Sequence, residues 1–241
     1  MEDKESITIR KAVINQAINY IFEHIDEDIM VEDVAKYCSY SKYHLMRMFK
    51  EDMDEALYQF IKRVRLERSA WRLKVEKERS ITEIGETYGY SSSNFATAFK
   101  KHLDISPADY RRSSEQMVED SSFSHGMTLD DLDDAGSKIT VEYLAPFTVL
   151  YERKKGNYHN LSDEWCDFIE KYKYFSTEDT LYIECTIDDP SITDENCCMY
   201  ELCQTVMPDD QKLKEHPEVL LHDFEGGRYA VYHFKGIPQL L

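Results

Sequence analysis

The chain has 241 residues, a hydrophobic content of 42% and a formal net charge of −18. This length favours two domains over one, and the hydrophobic content is sufficient for ordinary packed cores. No apolar run approaches the length that crosses a membrane, and the acidic start at Met1–Glu5 is unlike a secretion signal. We therefore expect a cytoplasmic protein with no membrane partner.

The negative charge is concentrated in the second half of the chain. Residues 1–112 hold 19 Lys and Arg against 20 Asp and Glu, a net of −1. Residues 113–241 hold 10 against 27, a net of −17. Local fields govern nucleic-acid binding more than total charge does. The first half is therefore compatible with DNA, whereas phosphate should repel the second half.

Two segments of the first half repeat each other at an offset of 50 residues. The first copy contains Tyr40, Ser41, Phe49, Lys50 and Asp54, which recur as Tyr90, Ser91, Phe99, Lys100 and Asp104. Such a period predicts a duplicated supersecondary unit. In each copy the apolar spacing predicts a helix, a tight turn and a second helix. We expect the second helices to start after Ser41 and after Ser91 or Ser92, and to end at the two aspartates.

The outer surface of each second helix is polar and basic, which predicts a helix-turn-helix that enters the DNA major groove. One such pair is weak evidence, because helix pairs also occur in all-α domains that do not bind DNA. Two copies are much stronger evidence. Two recognition helices on one face of DNA must lie one turn, roughly 34 Å, apart.

The segment Leu57–Val75 contains neither Gly nor Pro and predicts a helix of ~28 Å at ~1.5 Å per residue. Its apolar residues are expected on two sides, with Phe60, Val64 and Trp71 on one face and Leu66, Ala70 and Leu73 towards the other. Such a helix packs between two bodies and can hold both copies in register. A basic stripe of Arg65, Arg68 and Arg72 either contacts phosphate or pairs with Glu67 and Glu76.

Four stretches of the first half resemble the AraC/XylS family of bacterial transcription regulators: Ser41–Lys50, Gly89–Phe95, Phe99–Lys101 and Ile105–Arg112. The resemblance covers about Ile14 to Arg112. It implies a regulator, more often an activator, whose single domain engages two adjacent major grooves and can meet RNA polymerase. Two departures stand out. Asp54 and Asp104 replace the usual glycines, and Met46 and Thr97 replace positions that are often polar or basic.

The resemblance places base contacts on the first turns of both recognition helices. Arg47 and Asn94 are the strongest candidates, because arginine suits guanine and asparagine suits adenine in the major groove. The full set of candidate DNA-binding residues is Ser41, Lys42, Tyr43, His44, Met46, Arg47, Lys50, Ser92, Ser93, Asn94, Thr97, Lys100, Lys101, Arg111 and Arg112.

After an acidic, serine-rich linker, the sequence changes from a helical to a β pattern. The expected order is β-α-β-β followed by a further β segment. It begins with a strand that is interrupted or bent near Pro146 and a helix from Ser162 that buries Trp165, Phe168, Ile169 and Tyr172. Strands over 181–187 and 198–206 follow, and then a hairpin within 219–234 that turns at 225–227.

The segments 151–156, 187–190 and 226–236, together with Trp165, resemble the GyrI-like effector-binding domain. The resemblance implies a duplicated βαββ fold with an aromatic, acidic cleft that accepts cationic lipophilic compounds in several members. It stops at Gly236, so we expect an incomplete second repeat, either truncated or completed by a partner. The candidate ligand-binding residues are Tyr151, Trp165, Tyr182, Glu184 and Tyr232.

Aromatic faces and a desolvated carboxylate would bind a cationic ligand. The alternative is that Trp165 is ordinary helix core and that Glu184 lies on a solvated sheet face. The six cysteines include no CxxC pair, which favours buried reduced thiols. A metal or redox sensor built from Cys197, Cys198 and Cys203 with His216 or His222 is a weaker alternative, because the spacing matches no standard zinc pattern.

The sequence thus predicts a multidomain protein, α followed by α+β. An all-α double helix-turn-helix domain spans 1–112, a linker spans 113–137, and a βαββ-type, GyrI-like α+β domain spans 138–241. We expect a sequence-specific regulator that binds double-stranded DNA, senses a small cationic effector and can form a homodimer through its C-terminal domain, with no cofactor or metal. The alternatives are a C-terminal interaction or dimerisation module without ligand, or a small-molecule hydrolase, for which the sequence offers no nucleophile–base pair at a diagnostic spacing.

Overall fold

The computed structural model describes residues 4–114 and 139–232. Apart from its first two positions, which are helical, the predicted linker over 113–137 lies outside the described residues. The regular structure of residues 4–114 is helical, and residues 139–232 combine helices with antiparallel strands, as predicted. Within these two ranges, no helix has both the length and the apolar character needed to cross a membrane.

The helices of the first half are α1 (Lys4–Glu23), α2 (Val31–Tyr37), α3 (Lys42–Met53), α4 (Leu57–Val75), α5 (Ile81–Thr87), α6 (Ser92–Leu103) and α7, whose described part covers 107–114. The pairs α2–α3 and α5–α6 form two helix-turn-helix units, and α4 connects them. Helix α1 packs against α2 and α3 through a buried stripe that includes Ile14, Ala17, Ile18 and Ile21.

The repeat is present in the backbone as well as in the sequence. Ser39 and Gly89, which are 50 residues apart, both adopt a left-handed conformation in the turn, with φ of 59° and 78°. Asp54 and Asp104 do the same after α3 and α6, with φ of 51° and 57°. The predicted helix ends at these two aspartates are confirmed. Ser41 caps α3 as predicted, since its hydroxyl accepts a hydrogen bond from the His44 N–H at 3.4 Å.

The cores of the two units differ at several positions, and two of these differences compensate each other. The first unit packs Ala35 near Leu45, and the equivalent positions of the second are Gly85 and Phe95. A Cβ atom at Gly85 would lie 2.7 Å from Cγ of Phe95. Because carbon atoms do not approach so closely, the larger aromatic ring requires the smaller residue beside it.

Helix α4 has the predicted bounds and buries most of the predicted apolar positions, including Phe60, Val64 and Leu73. The prediction is wrong for Trp71, which is 49% exposed. Trp71 borders an open cavity between α4 and the second half of the chain, so its ring is covered on one side only.

The predicted basic stripe on α4 makes contacts within the protein. Arg72 pairs with Asp26 at 2.6 Å and with Glu76 at 3.0 Å. Arg65 donates to the Glu27 carbonyl at 2.9 Å, and Arg68 lies 3.5 Å from a backbone carbonyl of the second half. These contacts favour the alternative in which the arginines pair within the protein over the one in which they contact phosphate.

The second half contains β1 (Ile139–Leu144), β2 (Phe147–Lys155), α8 (Leu161–Tyr172), β3 (Tyr182–Thr186), β4 (Met199–Val206), α9 (Gln211–Glu215), β5 (Leu221–Phe224) and β6 (Gly227–Tyr232). Strands β3, β4, β2 and β5, in this order, form an antiparallel sheet, and β1 pairs with β6. Helix α8 covers one face of the larger sheet. Of its predicted core residues Phe168 and Tyr172 are buried, Trp165 is half-buried, and Ile169 is 40% exposed, contrary to prediction.

The predicted hairpin over 219–234 is wrong. Strand β5 pairs with β2, and β6 pairs with β1. Leu144 faces Gly227 and Phe147 faces Phe224, so both pairs share one register and form a single bent ladder. The bend near Pro146 was predicted. A Cβ at Gly226 would lie 2.7 Å from the Pro146 ring, so glycine is needed where the ladder bends.

The two halves share a core and several polar contacts. Ile192 and Met199 belong to the apolar cluster that fills residues 4–114. Lys155 donates to the Met53 carbonyl at 2.6 Å, and Lys74 pairs with Asp189 at 3.0 Å. The second half therefore lies against α1, the end of α3 and α4.

Candidate nucleic-acid interface and ligand site

Helix α3 presents its predicted DNA-binding residues on its outer side, where Tyr43 is 84% exposed. Of the rest of this set, Ser41, His44, Arg47 and Lys50 are exposed, and Lys42 and Met46 are half-buried. Its cations already have partners of opposite charge. Lys42 pairs with Glu32 at 2.6 Å, and this hydrogen bond raises the pKa of the lysine.

Arg47 and Lys50 lie within 4.0 Å of acidic side chains four residues later in the chain, Glu51 in α3 and Asp54 just after it. Lys50 also donates to the Asp54 carbonyl at 2.9 Å, which helps to satisfy the end of the helix. These pairs are exposed to solvent and are therefore weak. DNA phosphates can replace the acidic partners.

Helix α6 presents a less charged first turn and two cations in its last turns. The predicted residues Ser92, Ser93, Asn94, Thr97, Lys100 and Lys101 are all exposed. Thr97 donates to the Ser93 carbonyl at 3.0 Å, so its hydroxyl is partly occupied by the helix itself. Within residues 4–114 and 139–232, Lys100 and Lys101 make no hydrogen bond or ion pair.

The two recognition helices border one concave surface, which we call the central hollow. This cavity of about 770 Å³ is lined by Lys42 of α3, by Asn94, Thr97 and Lys101 of α6, and by Tyr58 and Lys62 of α4, among others. Candidate residues from both copies therefore face the same space. Sequence reasoning missed Tyr58 and Lys62, because on α4 it considered only the arginine stripe for phosphate contact, and an isolated lysine carries no signal of its own.

The two candidates after α6 differ from each other. Arg112 is exposed and pairs with Asp109 at 3.1 Å. Arg111 is half-buried, lies 3.5 Å from the Glu76 carbonyl, and has a buried Nε atom without a hydrogen-bond partner. Arg112 is therefore better placed than Arg111 to meet an external phosphate.

Three of the five predicted ligand-binding residues come together on the α8 side of the larger sheet. The Trp165 indole N–H donates to the Glu184 carboxylate at 3.1 Å, and the Trp165 and Tyr182 rings meet edge to face at 6.2 Å. Tyr151 is buried on the opposite face of the sheet, and Tyr232 lies on β6 in the smaller sheet. The predicted five-residue pocket is therefore not formed as one site. Glu184 is exposed, so the expectation of a desolvated carboxylate is wrong and the alternative of a solvated sheet face holds for this residue.

A cavity of about 540 Å³ lies between α1 and the larger sheet. Its lining includes Lys11 and Asn15 of α1 together with Tyr151, Glu152 and Tyr172. Burial opposes ionisation of Glu152, but hydrogen bonds from Lys171 and Lys154 lower its pKa to about 2. The carboxylate is therefore ionised and neutralised internally.

A second cavity between the halves, of about 730 Å³, lies between α4 and the 186–193 segment. Trp71 and Tyr158 contribute aromatic rings, and Glu67 and Asp188 contribute carboxylates. Burial and the neighbouring Glu67 raise the pKa of Asp188 to about 6. Neither cavity was visible in the sequence, because each combines residues more than 100 positions apart.

The cysteine and histidine set considered in the sequence does not assemble. Cys198 donates to the Thr193 carbonyl at 3.7 Å, and His216 lies beside Glu218 at 2.9 Å. In the described ranges the one group of metal-ligating side chains consists of Cys185, Glu201 and Cys203. Cys203 thus lies with Cys185, which was not in the set considered in the sequence.

Two protein-family profiles match the chain. One is described as a helix-turn-helix domain and matches residues 34–113. The other is described as a GyrI-like small molecule binding domain and matches residues 137–238. Together they cover the two halves that the composition and the fold distinguish.

Named relatives match the first half. The chain is 38% identical over 104 residues to the transcriptional regulator Rob of Salmonella typhimurium, a match that covers 43% of this chain and 36% of Rob. It is 37% identical over 100 residues to the regulatory protein SoxS of Escherichia coli, which covers 41% of this chain and 92% of SoxS. The C-terminal domain of AraT, a response regulator from Geobacillus stearothermophilus, is 34% identical with a TM-score of 0.40, over 42% of this chain and 84% of that one.

Proposed function

This chain belongs to the AraC/XylS family of transcription regulators and carries a GyrI-like small-molecule binding domain, and from this premise we propose that residues 1–112 bind two adjacent major grooves of double-stranded DNA. In this proposal 113–137 is a linker and 138–241 is the effector-binding domain. The relatives are named as regulators, so the proposed role is regulatory, in the cytoplasm, and not enzymatic.

The central hollow is the observation that carries the DNA proposal. It is bordered by Lys42 from the first recognition helix and by Asn94 from the second. One ligand on this continuous surface could therefore contact both helix-turn-helix units. The lysines around it, including Lys62 and Lys101, supply positive charge for the phosphates that run between two grooves. Arg47 and Asn94 are the proposed base-reading residues.

The DNA proposal is tested by selecting duplexes from a randomised pool with the full chain and measuring affinity for the enriched sequence. Arg47→Ala and Asn94→Ala should each weaken binding to that sequence and relax selection at one position. Lys173 is an exposed cation after α8, and Lys173→Ala is the matched control. It should change neither the affinity for the enriched sequence nor the base selection. Enrichment of no sequence by the wild-type chain would reject sequence-specific binding.

For the effector, we propose that the Trp165–Tyr182–Glu184 cluster binds a small lipophilic cation. The cluster combines two aromatic rings with a carboxylate that is only partly satisfied by the Trp165 N–H. Aromatic faces and a carboxylate are complementary to an organic cation. The −17 net charge of residues 113–241 favours the same class of ligand.

Thermal unfolding of the full chain tests the effector proposal with cationic amphiphiles, neutral aromatics and anions as probes. A ligand that binds the folded form raises its melting temperature. We expect a saturable rise with cations that is reduced in Glu184→Gln and retained in Glu178→Gln, an exposed acid before β3. A rise of equal size in both variants would place the ligand elsewhere, and the cavity beside Tyr151 would be examined next.

A second candidate role, assembly through the C-terminal domain, is favoured by one observation. Strand β3 is an outer strand of its sheet; its first residue, Tyr182, is 44% exposed, and Leu181 just before it is 64% exposed. Outer strands can pair with a second chain. A homodimer should dissociate in Leu181→Lys when followed by sedimentation velocity, whereas a monomeric wild-type chain would exclude this role. RNA polymerase is a proposed partner on the strength of the family alone.

A further inference from the structure

Three side chains with metal-ligating atoms meet on the sheet face opposite α8. Cys185 on β3 lies directly across from Glu201 on β4. Cys203 follows Glu201 by two residues, so its side chain lies on the same face. One ligand atom from each of the three lies within 4.8 Å of the other two. The pairing of β3 with β4 therefore assembles the group from two strands.

The group is buried but accessible from one side. Glu201 is 7% exposed and Cys203 is fully buried, whereas Cys185 is half-buried and open towards solvent. All three side chains rest on backbone held by the β-ladder, so their positions are fixed by the sheet. Such fixed positions reduce the cost of gathering the ligands around an ion.

Glu201 also belongs to the contact between the two halves. Arg153 Nε donates to the Glu201 carboxylate at 3.0 Å. The same guanidinium donates to the side-chain oxygens of Asn15 at 3.0 Å and Asn19 at 2.6 Å, both on α1. Arg153 thus links the carboxylate on the sheet to the helix that packs against the first helix-turn-helix.

We propose that Cys185, Glu201 and Cys203 bind a soft divalent cation of the Zn²⁺ or Cd²⁺ class. Two cysteine sulfurs and one carboxylate oxygen suit such an ion, and water can occupy a fourth position on the open side of Cys185. On binding, each thiol loses its proton to solvent and forms a sulfur–metal bond, with no change in oxidation state.

Both hydrogen bonds from Arg153 to Glu201 go to Oε1, so Oε2 is the oxygen that remains for the ion. An ion on Oε2 withdraws negative charge from the carboxylate, so the charge of the buried guanidinium is then less well compensated. The contact of Arg153 with Asn15 and Asn19 should loosen as a result. The site itself does not depend on the proposed DNA binding, so it can be tested without DNA.

The test uses the full chain, fully reduced and without oxygen, titrated with Cd²⁺ and followed by the ultraviolet absorbance of thiolate-to-cadmium charge transfer. We expect one tightly bound Cd²⁺ per chain. Cys185→Ser and Cys203→Ser should abolish this tight binding. Cys166→Ser, which removes an exposed thiol on α8, is the matched control and should leave it unchanged. Glu201→Gln should weaken binding at least about tenfold with both sulfurs present.

Absence of a charge-transfer band in the wild-type chain would overturn the proposal, as would a band that persists in both cysteine variants or disappears equally in Cys166→Ser. Because Cys203 is fully buried, its serine variant is checked by circular dichroism. If it does not fold, the half-buried Cys185→Ser decides the result.

Discussion

The two recognition helices have the same length and the same kind of ending, but their cations are in different states. The three cations of α3 contact acidic side chains, as Lys42 does with Glu32 at 2.6 Å. In α6, Lys100 and Lys101 make no such contact with any residue of 4–114 or 139–232. In the proposed DNA complex, the cations of α3 must exchange these internal partners for DNA, whereas the two lysines of α6 need no such exchange. In a duplicated fold unit, one copy can therefore require the loss of internal ion pairs before it binds, while the other copy does not.

The largest difference between the two recognition helices should appear in base recognition. Arg47→Ala should cost ~1–3 kcal/mol in binding free energy at its cognate base pair, because a bidentate contact to guanine is lost. Asn94→Ala should cost a similar amount at a different position, one helical turn away. Competition binding against single-base variants of the selected site measures both.

If the two variants lose specificity at the same base pair, the two-groove arrangement is wrong. If neither changes specificity, the base contacts lie elsewhere on the helices.

The next largest difference between the two units concerns the packing inside each unit and its effect on the free energy of unfolding. Gly85→Ala places a methyl group 2.7 Å from the Phe95 ring, and overpacking of this kind costs ~1–3 kcal/mol. The gain in helix propensity of ~1 kcal/mol offsets part of this cost. We expect a net loss of up to about 2 kcal/mol in the free energy of unfolding, measured with urea.

The double variant Gly85→Ala/Phe95→Leu copies the first unit and should recover part of the loss. A single variant as stable as the wild type would show that the Phe95 ring can move aside.

The left-handed helix ends give a smaller effect. Glycine adopts φ near +50° without the steric cost that a side chain brings. Asp54→Gly and Asp104→Gly should therefore each stabilise the fold by about 0.5–1 kcal/mol. The Asp54 variant should gain less, because it also loses the Lys50 side-chain pair. Thermal unfolding of the two variants side by side measures the difference, and equal destabilisation by both would contradict the argument.

The smallest effect concerns the salt dependence of DNA binding. Each lysine that contacts phosphate contributes about 0.9 to the slope of log affinity against log salt. Lys100→Ala and Lys101→Ala should each reduce the slope by close to this amount. Lys50→Ala should reduce it less, because its ammonium group already has a carboxylate partner. Equal slopes for the three variants would remove the distinction between the two helices.

Local sequence signals predicted the first half well. The repeat fixed both helix-turn-helix units, and the absence of Gly and Pro fixed α4 as Leu57–Val75. Capping and left-handed positions such as Ser41 and Asp54 also depend on neighbouring residues alone. What was missed depends on distant contacts. Trp71 faces a cavity completed by the second half, and the dependence of Gly85 on Phe95 requires two helices to be packed together.

The second half was harder to predict because strand patterns reveal faces and not partners. The strands predicted over 181–187 and 198–206 are present as β3 and β4, but a hairpin was inferred for β5 and β6 because a Gly-Gly pair favours a local turn. Their true partners lie about 75 to 90 positions earlier in the chain. The candidate ligand site was affected in the same way. Trp165, Tyr182 and Glu184 meet because α8 packs over β3, whereas Tyr151 points to the other face.

The shared core has a consequence for synthesis of the chain. Ile192 and Met199 complete the apolar cluster of a domain that is translated before them. As the ribosome extends the chain from the N-terminus, the helices have time to fold while this part of their surface still lacks its cover. The nascent helical domain therefore exposes an apolar patch until roughly 80 more residues emerge. This uncovered patch should attract chaperones during that interval. It should also make fragments that end before Ile192 prone to aggregate.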